Sequence, residues 1–214
     1  AKSYGKIVAA MNVKLEQASL LAGSGEIEDA IETFKQHCPV PPPLPKFLIK
    51  KFSEARSIFM FPGDNNQEWN SIRSHLRSDA NITLIDDTSD IFRYKEDNEL
   101  VESSQVNVLR SSAIDASARF IQQEFDLIWI SSTLQRLTPI QAMMILKRSQ
   151  SGLLPGGCCA GMINTLDKEG SWPDPRWQHP FNIKQLQSLI QYSGLNSAKF
   201  QSWGEFELFH SELV

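Results

Sequence analysis

Few residues in this 214-residue chain have the types and spacing that chemistry requires. His179 stands in a loop-rich stretch, SWPDPRWQHPF, with Trp172 and Trp177 close by. An imidazole can take a proton from a hydroxyl, and aromatic rings beside it suit a sugar or aromatic substrate. The plainer reading of a histidine next to prolines is a loop hydrogen-bonder. Asp86 closes the apolar run NITLID, with Asp87 beside it. A carboxylate there can accept two hydrogen bonds at once; equally, acids at a strand end can cap a helix. Arg136 follows the run FDLIWIS, which ends in Ser131. A guanidinium stays protonated and cannot be a base, but it can pair with a phosphate or carboxylate of a ligand. A surface arginine in a salt bridge is the alternative. His75 and His210 are given no role.

These residues are spaced along alternating elements. From Ser57 the chain reads strand (IFMF), helix (68–77), strand (NITLID), strand (VNVLR), helix (114–123), strand (FDLIWIS), helix (139–148), strand (CCAGMIN), helix (183–192), and two final strands (AKFQSW, EFELFH). Short apolar strands separated by helices imply a mainly parallel sheet covered on both faces. The last two strands are joined too tightly to be parallel, so one strand at the end of the sheet is reversed. Ahead of this lies a helical hairpin in residues 1–37, broken at Gly23-Ser24-Gly25, then a proline-rich linker in 38–46 containing CPVPPPLP. The string LAGSGEIEDAIETFKQ looks like the junction of a tetratricopeptide-type repeat, without a second copy. The hairpin packs on the main domain or on a partner, or ends a repeat array of a longer parent protein.

Composition narrows the partners. Hydrophobic content of 41% and charged content of 21% describe an ordinary globular chain. A net charge of −4 argues against a nucleic-acid groove. No window approaches the run of about 20 apolar residues that spans a membrane. No signal-like start is visible, and a first residue other than Met fits processing or excision from a longer protein. Cys38, Cys158 and Cys159 form no disulfide framework. A reducing, cytoplasmic setting follows. The adjacent pair reads as core, and no Cys or His spacing fits a metal site.

Several strings resemble class I S-adenosylmethionine (SAM)-dependent methyltransferases. FDLIWISSTLQRL, at 125–137, is similar to the fourth-strand motif FDLIxxxxxLxHL. GLLPGG, at 152–157, resembles the LLKPGG turn before the fifth strand. His179-Pro180-Phe181-Asn182, followed by a helix and Ser193-Gly194-Leu195, resembles a segment of small-molecule and sugar methyltransferases. The resemblance covers about residues 50–214 and implies a Rossmann-like methyltransferase fold over 47–214. That is an α/β, doubly wound, mostly parallel seven-stranded sheet with one antiparallel strand, preceded by the N-terminal helical hairpin.

By the same resemblance, SAM is the expected cofactor, held by Gly63, Asp64, Asp86, Ser112 and Ser131. Asp86 would bind the ribose hydroxyls, and Ser112 stands where an acid often meets the adenine amino group, with Asp115 nearby. His179 would be the catalytic base, and Trp172, Trp177 and Arg136 would face the substrate. The departures are as informative. The strand-loop-helix region that should read Gly-x-Gly-x-Gly is Pro62-Gly63-Asp64-Asn65-Asn66, and Met60 replaces an acid that helps anchor the cofactor's amino group. Asp64 either substitutes for that acid or caps the next helix. Arg136 replaces a frequent histidine. Each lost hydrogen bond is worth about 1 kcal/mol, and each ~1.4 kcal/mol is tenfold in affinity. The expectation is therefore a methyltransferase-like domain acting as a non-catalytic scaffold or interaction module in a larger, glycan-assembly-like system, with a protein partner or parent-chain domains engaged through residues 1–45. The alternative is an active SAM-dependent methyltransferase acting on a small molecule or sugar hydroxyl. A dinucleotide-dependent oxidoreductase is disfavoured, since Gly-x-Gly-x-x-Gly is also missing.

Overall fold

A computed structural model of the chain describes residues 43–61, 66–86, 106–120, 124–131, 133–165, 181–203 and 206–213. The helical hairpin expected in residues 1–37 lies outside them.

Seven strands form one sheet: β1 (Ser57–Phe61), β2 (Asn81–Asp86), β3 (Val106–Arg110), β4 (Phe125–Ser131), β5 (Leu153–Asn164), β6 (Lys199–Trp203) and β7 (Phe206–Glu212), in the order β3-β2-β1-β4-β5-β7-β6. Only β7 runs against its neighbours, pairing antiparallel with both β5 and β6. The reversed strand is thus last in sequence but second from the edge. β6 is the outer strand, and β7 lies between it and β5.

The helices explain why the strands are apolar on both faces. On one side, α1 (Lys46–Glu54) and α2 (Asn66–Arg73) cover Ile58 and Met60 of β1, Leu84 of β2, Leu127 and Trp129 of β4, and Cys158 and Ala160 of β5. On the other, α3 (Ala113–Ser117), α4 (Pro139–Gly152) and α5 (Ile183–Tyr192) cover Phe59, Phe61, Ile128, Ile130, Cys159 and Ile163. Alternate residues of each strand therefore enter alternate cores, as a period of two requires. Cys158 and Cys159 are both free and buried, one on each face, as the sequence predicts.

Helix α1 does not emerge from the strand-helix alternation beginning at Ser57. Its Leu48 and Phe52, four apart on one face, are fully buried, and the Phe52 ring meets Trp129 edge-on at 5.4 Å. Two helix starts carry reciprocal caps: Thr138 with Gln141 for α4, and Asn182 with Gln185 for α5. The helix expected over 68–77 stops at Arg73, which leaves His75 in a turn. The helix expected over 139–148 continues to Gly152.

Strand β5 starts earlier than the apolar run CCAGMIN. Phe125 pairs with Leu153, but Leu127 pairs with Cys158, so residues 154–157 bulge out of register. Gly156 takes φ +78° there, and a side chain on Gly157 would sit 2.8 Å from the Leu154 carbonyl. The bulge also fastens the C-terminus: Gly156 N–H donates to Leu213 O (3.0 Å), and Leu213 N–H donates to Gly157 O (2.9 Å). At the amino edge, Asp126 Oδ2 accepts from Arg56 N–H (2.8 Å) and Ser57 N–H (2.9 Å), fixing where β1 enters the sheet.

Candidate functional site

Strand order reverses between β1 and β4. In open α/β sheets, ligands bind outside the carboxyl ends of the strands at such a switch point. The described walls of that crevice are the ends of β1 to β5 and the segments that leave β3, β4 and β5.

The end of β1 is apolar. Met60 and Phe61 are each 1% exposed. Met60 belongs to the core beneath α1 and α2. Phe61 lies in a ring cluster on the opposite face, 5.1 Å from Phe59 and 6.1 Å from Phe120. Asp86 ends β2, in register with Arg110, the last residue of β3.

Beyond β3, Ser112 is the N-cap of α3. Its Oγ accepts from Asp115 N–H at 3.1 Å and donates to the Asp115 carboxylate at 2.7 Å. The two residues expected to act alternatively on one ligand group are thus bonded to each other. One lone pair of Ser112 Oγ remains by count. From the helix behind, Arg148 Nη1 donates to Ile114 O and Ser117 Oγ, both at 3.0 Å, holding α3 against α4.

Beyond β4 the wall is polar but enclosed. Ser131 is 2% exposed, and its carbonyl accepts from Thr133 Oγ1 at 3.1 Å. A short 3₁₀ turn, Leu134–Arg136, follows. Leu134 plugs the core and Gln135 is fully buried. Arg136 is half-buried, with Nε and Nη2 withdrawn from solvent.

Past β5, Thr165 is fully buried, and its Oγ1 has no hydrogen-bond partner among the described residues. Gln135 and Thr165 were not flagged by the sequence. Their only signal there is a polar residue soon after an apolar strand, which is common to most strand ends. Gly63, Asp64, Trp172, Trp177 and His179 lie outside the described residues.

The described wall does not fit the cofactor's amino group at Met60, because a buried thioether in an apolar cluster offers no charge. Neither thiol is a nucleophile. Burial pushes Cys158 up to about 11, and Cys159 higher still, so both stay protonated near neutrality. Among the described residues no group of three or more His, Cys, Asp or Glu could hold a metal ion. No described helix is long and apolar enough to cross a membrane.

No protein-family model matches the sequence, and no curated protein matches it. Solved structures do. An O-methyltransferase family protein from Burkholderia thailandensis aligns over 98% of this chain and 72% of its own, at 12% identity and TM-score 0.60. A SAM-dependent methyltransferase from Archaeoglobus fulgidus aligns over 78% and 90%, at 12% identity and TM-score 0.61. Human N-acetylserotonin methyltransferase, solved with SAM, aligns over 77% of this chain and 50% of its own, at 14% identity and TM-score 0.56. This chain therefore has the fold of the class I SAM-dependent methyltransferases.

Proposed function

We propose that the chain is a methyltransferase-fold module that does not catalyse methyl transfer and serves as a scaffold or interaction domain. Residues 1–45 are the segment through which it would engage a protein partner or other domains of a longer parent chain. The observation that carries the reading is the end of β1, where Met60 is sealed in apolar packing and Pro62-Gly63-Asp64 follows. Glycines in such a loop let backbone approach a ligand and adopt positive φ. Proline fixes φ and removes a donor, and Asp64 brings a side chain to a place where a bare backbone is needed. Ser112, tied to Asp115, supplies at most a neutral acceptor where a charge would bind more strongly.

Active SAM-dependent methyl transfer to a small molecule or sugar hydroxyl is the second reading. It is favoured by Asp86 at the end of β2 and by structural neighbours that are methyltransferases, one of them solved with SAM. In that case Asp86, Ser112 and Ser131, with Gly63 and Asp64, would hold the cofactor. His179 would serve as base, with Trp172, Trp177 and Arg136 at the acceptor. The test is incubation with SAM and a panel of sugar and phenolic acceptors, followed by assay of released S-adenosylhomocysteine. No release above the protein-free control supports the module. Acceptor-dependent release that disappears in Asp86→Ala establishes the enzyme.

A further inference from the structure

Helix α1 is tied to β7 at two points. The Phe47 ring lies against that of His210, with centroids 4.7 Å apart. Four residues on, along the same helix face, Lys51 Nζ is paired with Glu212 Oε1. His210 and Glu212 are two apart on β7, in register with Ala160 and Cys158 of β5, so both face the layer that holds α1. Three charged groups act on His210 from the elements around it: Lys199, directly opposite on β6, Lys51 on α1 and Glu212 on β7 itself. β5 adds no charge, because Ala160 has none and the Cys158 thiol, pushed up to about 11 by burial, stays protonated. Glu212 feels both lysines and is bonded to one of them.

We propose that His210 is a proton-operated release for α1: protonation sets a third cation beside Lys51 and Lys199 around the single carboxylate of Glu212, and α1 opens locally from β7 while the sheet stays paired. Lys199 is exposed and can turn into water, whereas Lys51 is carried by the helix, so relief at Lys51 moves α1. Leu48 and Phe52 remain its anchors, and the release shifts an opening equilibrium rather than undocking the helix outright. In the closed form, burial first and then the lysine charges hold the imidazole below its ordinary range. Opening returns it to water and toward ~6.5. The open form therefore binds the proton more readily, and opening is favoured as the pH falls through that value. The pair with Lys51 holds Glu212 below the usual carboxylate range, and the pair with Glu212 holds Lys51 above its own. Both keep their charge between pH 7.5 and 5.5, which leaves His210 as the member of the group that titrates. On the reading above that residues 1–45 engage a partner, this release regulates that engagement, because α1 begins at Lys46.

The experiment is amide hydrogen exchange of the intact chain at pH 7.5 and 5.5, corrected for the intrinsic pH dependence, for the wild type, His210→Gln and Glu212→Gln, after thermal melts confirm that each folds. Residues 46–54 are expected to be less protected than β4 and β5 at both pH values, as local opening requires. In the wild type their protection should fall about threefold at pH 5.5, within the ceiling of roughly tenfold that one proton at ~6.5 allows there. His210→Gln should abolish that fall. Glu212→Gln should lower the protection of α1 at pH 7.5 by about threefold, the worth of a partly exposed ion pair. The proposal is overturned if α1 is as protected as β4 and β5, if the fall persists in His210→Gln, or if Glu212→Gln leaves α1 unchanged. An α1 blind to pH removes the release and leaves the non-catalytic module standing; methyl transfer in the separate turnover assay removes the module and leaves the exchange result as it is.

Discussion

Gly161 lies at the centre of the sheet, opposite Ile130 of β4 and Phe209 of β7. A side-chain carbon built there overlaps both the Ile130 carbonyl oxygen and the Phe209 ring. The ring can turn; the carbonyl belongs to the parallel ladder and cannot move without breaking it. Gly161→Ala should therefore cost an overpacking penalty of ~1–3 kcal/mol plus a ladder hydrogen bond worth ~1 kcal/mol. A total of about 3 kcal/mol corresponds to a melting-temperature drop of roughly 6–12 °C for a chain of this size. Gly156 is an internal control. Its φ of +78° strains any other residue, but the space around it is open, so Gly156→Ala should cost only ~1–2 kcal/mol. Urea unfolding followed by tryptophan fluorescence measures both. Adding Phe209→Leu to Gly161→Ala should recover part of the loss, since it removes one of the two obstructions. If Gly161→Ala stays within ~0.5 kcal/mol of wild type, or costs less than Gly156→Ala, the packing account of β5 is wrong. The pair Ile130–Gly161 sits one residue before Ser131–Met162, so a slip at this level would also displace the floor of the crevice.

Two further outcomes follow from named contacts. Both N–H groups held by Asp126 donate to the same oxygen, Oδ2. A single neutral amide oxygen in Asp126→Asn can therefore replace it with loss of charge only, about 1 kcal/mol, whereas Asp126→Ala strands both donors and should cost ~2–4 kcal/mol; equal losses in urea unfolding would contradict that geometry. His210, whose ring is tilted against Phe47 with centroids 4.7 Å apart, has its pKa lowered by burial first and then by the Lys199 and Lys51 charges, with Glu212 opposing. The unfolded chain then binds the proton more readily than the folded one. This contribution to stability is complete above the unfolded value near 6.5, and it is lost as the pH falls through that value toward the lower folded one. The urea midpoint should fall between pH 7.5 and 5.5 in the wild type and fall less in His210→Gln; parallel curves would exclude His210 as the source.

The sheet was legible because its signal is distributed. Each strand announced itself as a short apolar run, and the closing hairpin announced its own reversal through the shortness of its turn. Helix α5 was read to its ends because Asn182 and Gly194 punctuate it; Gly194, at φ +97°, terminates the helix as glycine does. Helix α1 was passed over because Pro45 and a lysine-rich stretch obscured its two anchors, Leu48 and Phe52. The site was less legible. Ser112 has the right position for a ligand contact and the right type for a helix cap, and only the coordinates of Asp115 show how its hydroxyl is used. The residue type at 136 is visible in the sequence, but its partial enclosure depends on the 3₁₀ turn, which no periodicity reveals.

The same separation distinguishes the packing of the sheet from the loop that follows β1. Met60 and Phe61 are each buried by the helices on their own side of the sheet, whatever follows them in the chain. The last pairs of β1 are Met60 with Leu84 and Phe61 with Ile130, and Pro62 comes after both, where a proline ends a strand without interrupting a central ladder. The apolar packing of Met60 and Phe61 that stabilises the sheet is thus complete before the loop begins. A test follows: Pro62→Gly with Asp64→Gly should leave the melting temperature within a few degrees, because the pairs that end β1 come before both residues. If SAM affinity nevertheless rises in that double variant while the urea midpoint stays put, binding and folding are carried by different residues of one strand-turn unit. If stability collapses instead, the turn is part of the core, and independence of scaffold and site fails at the point where it matters most.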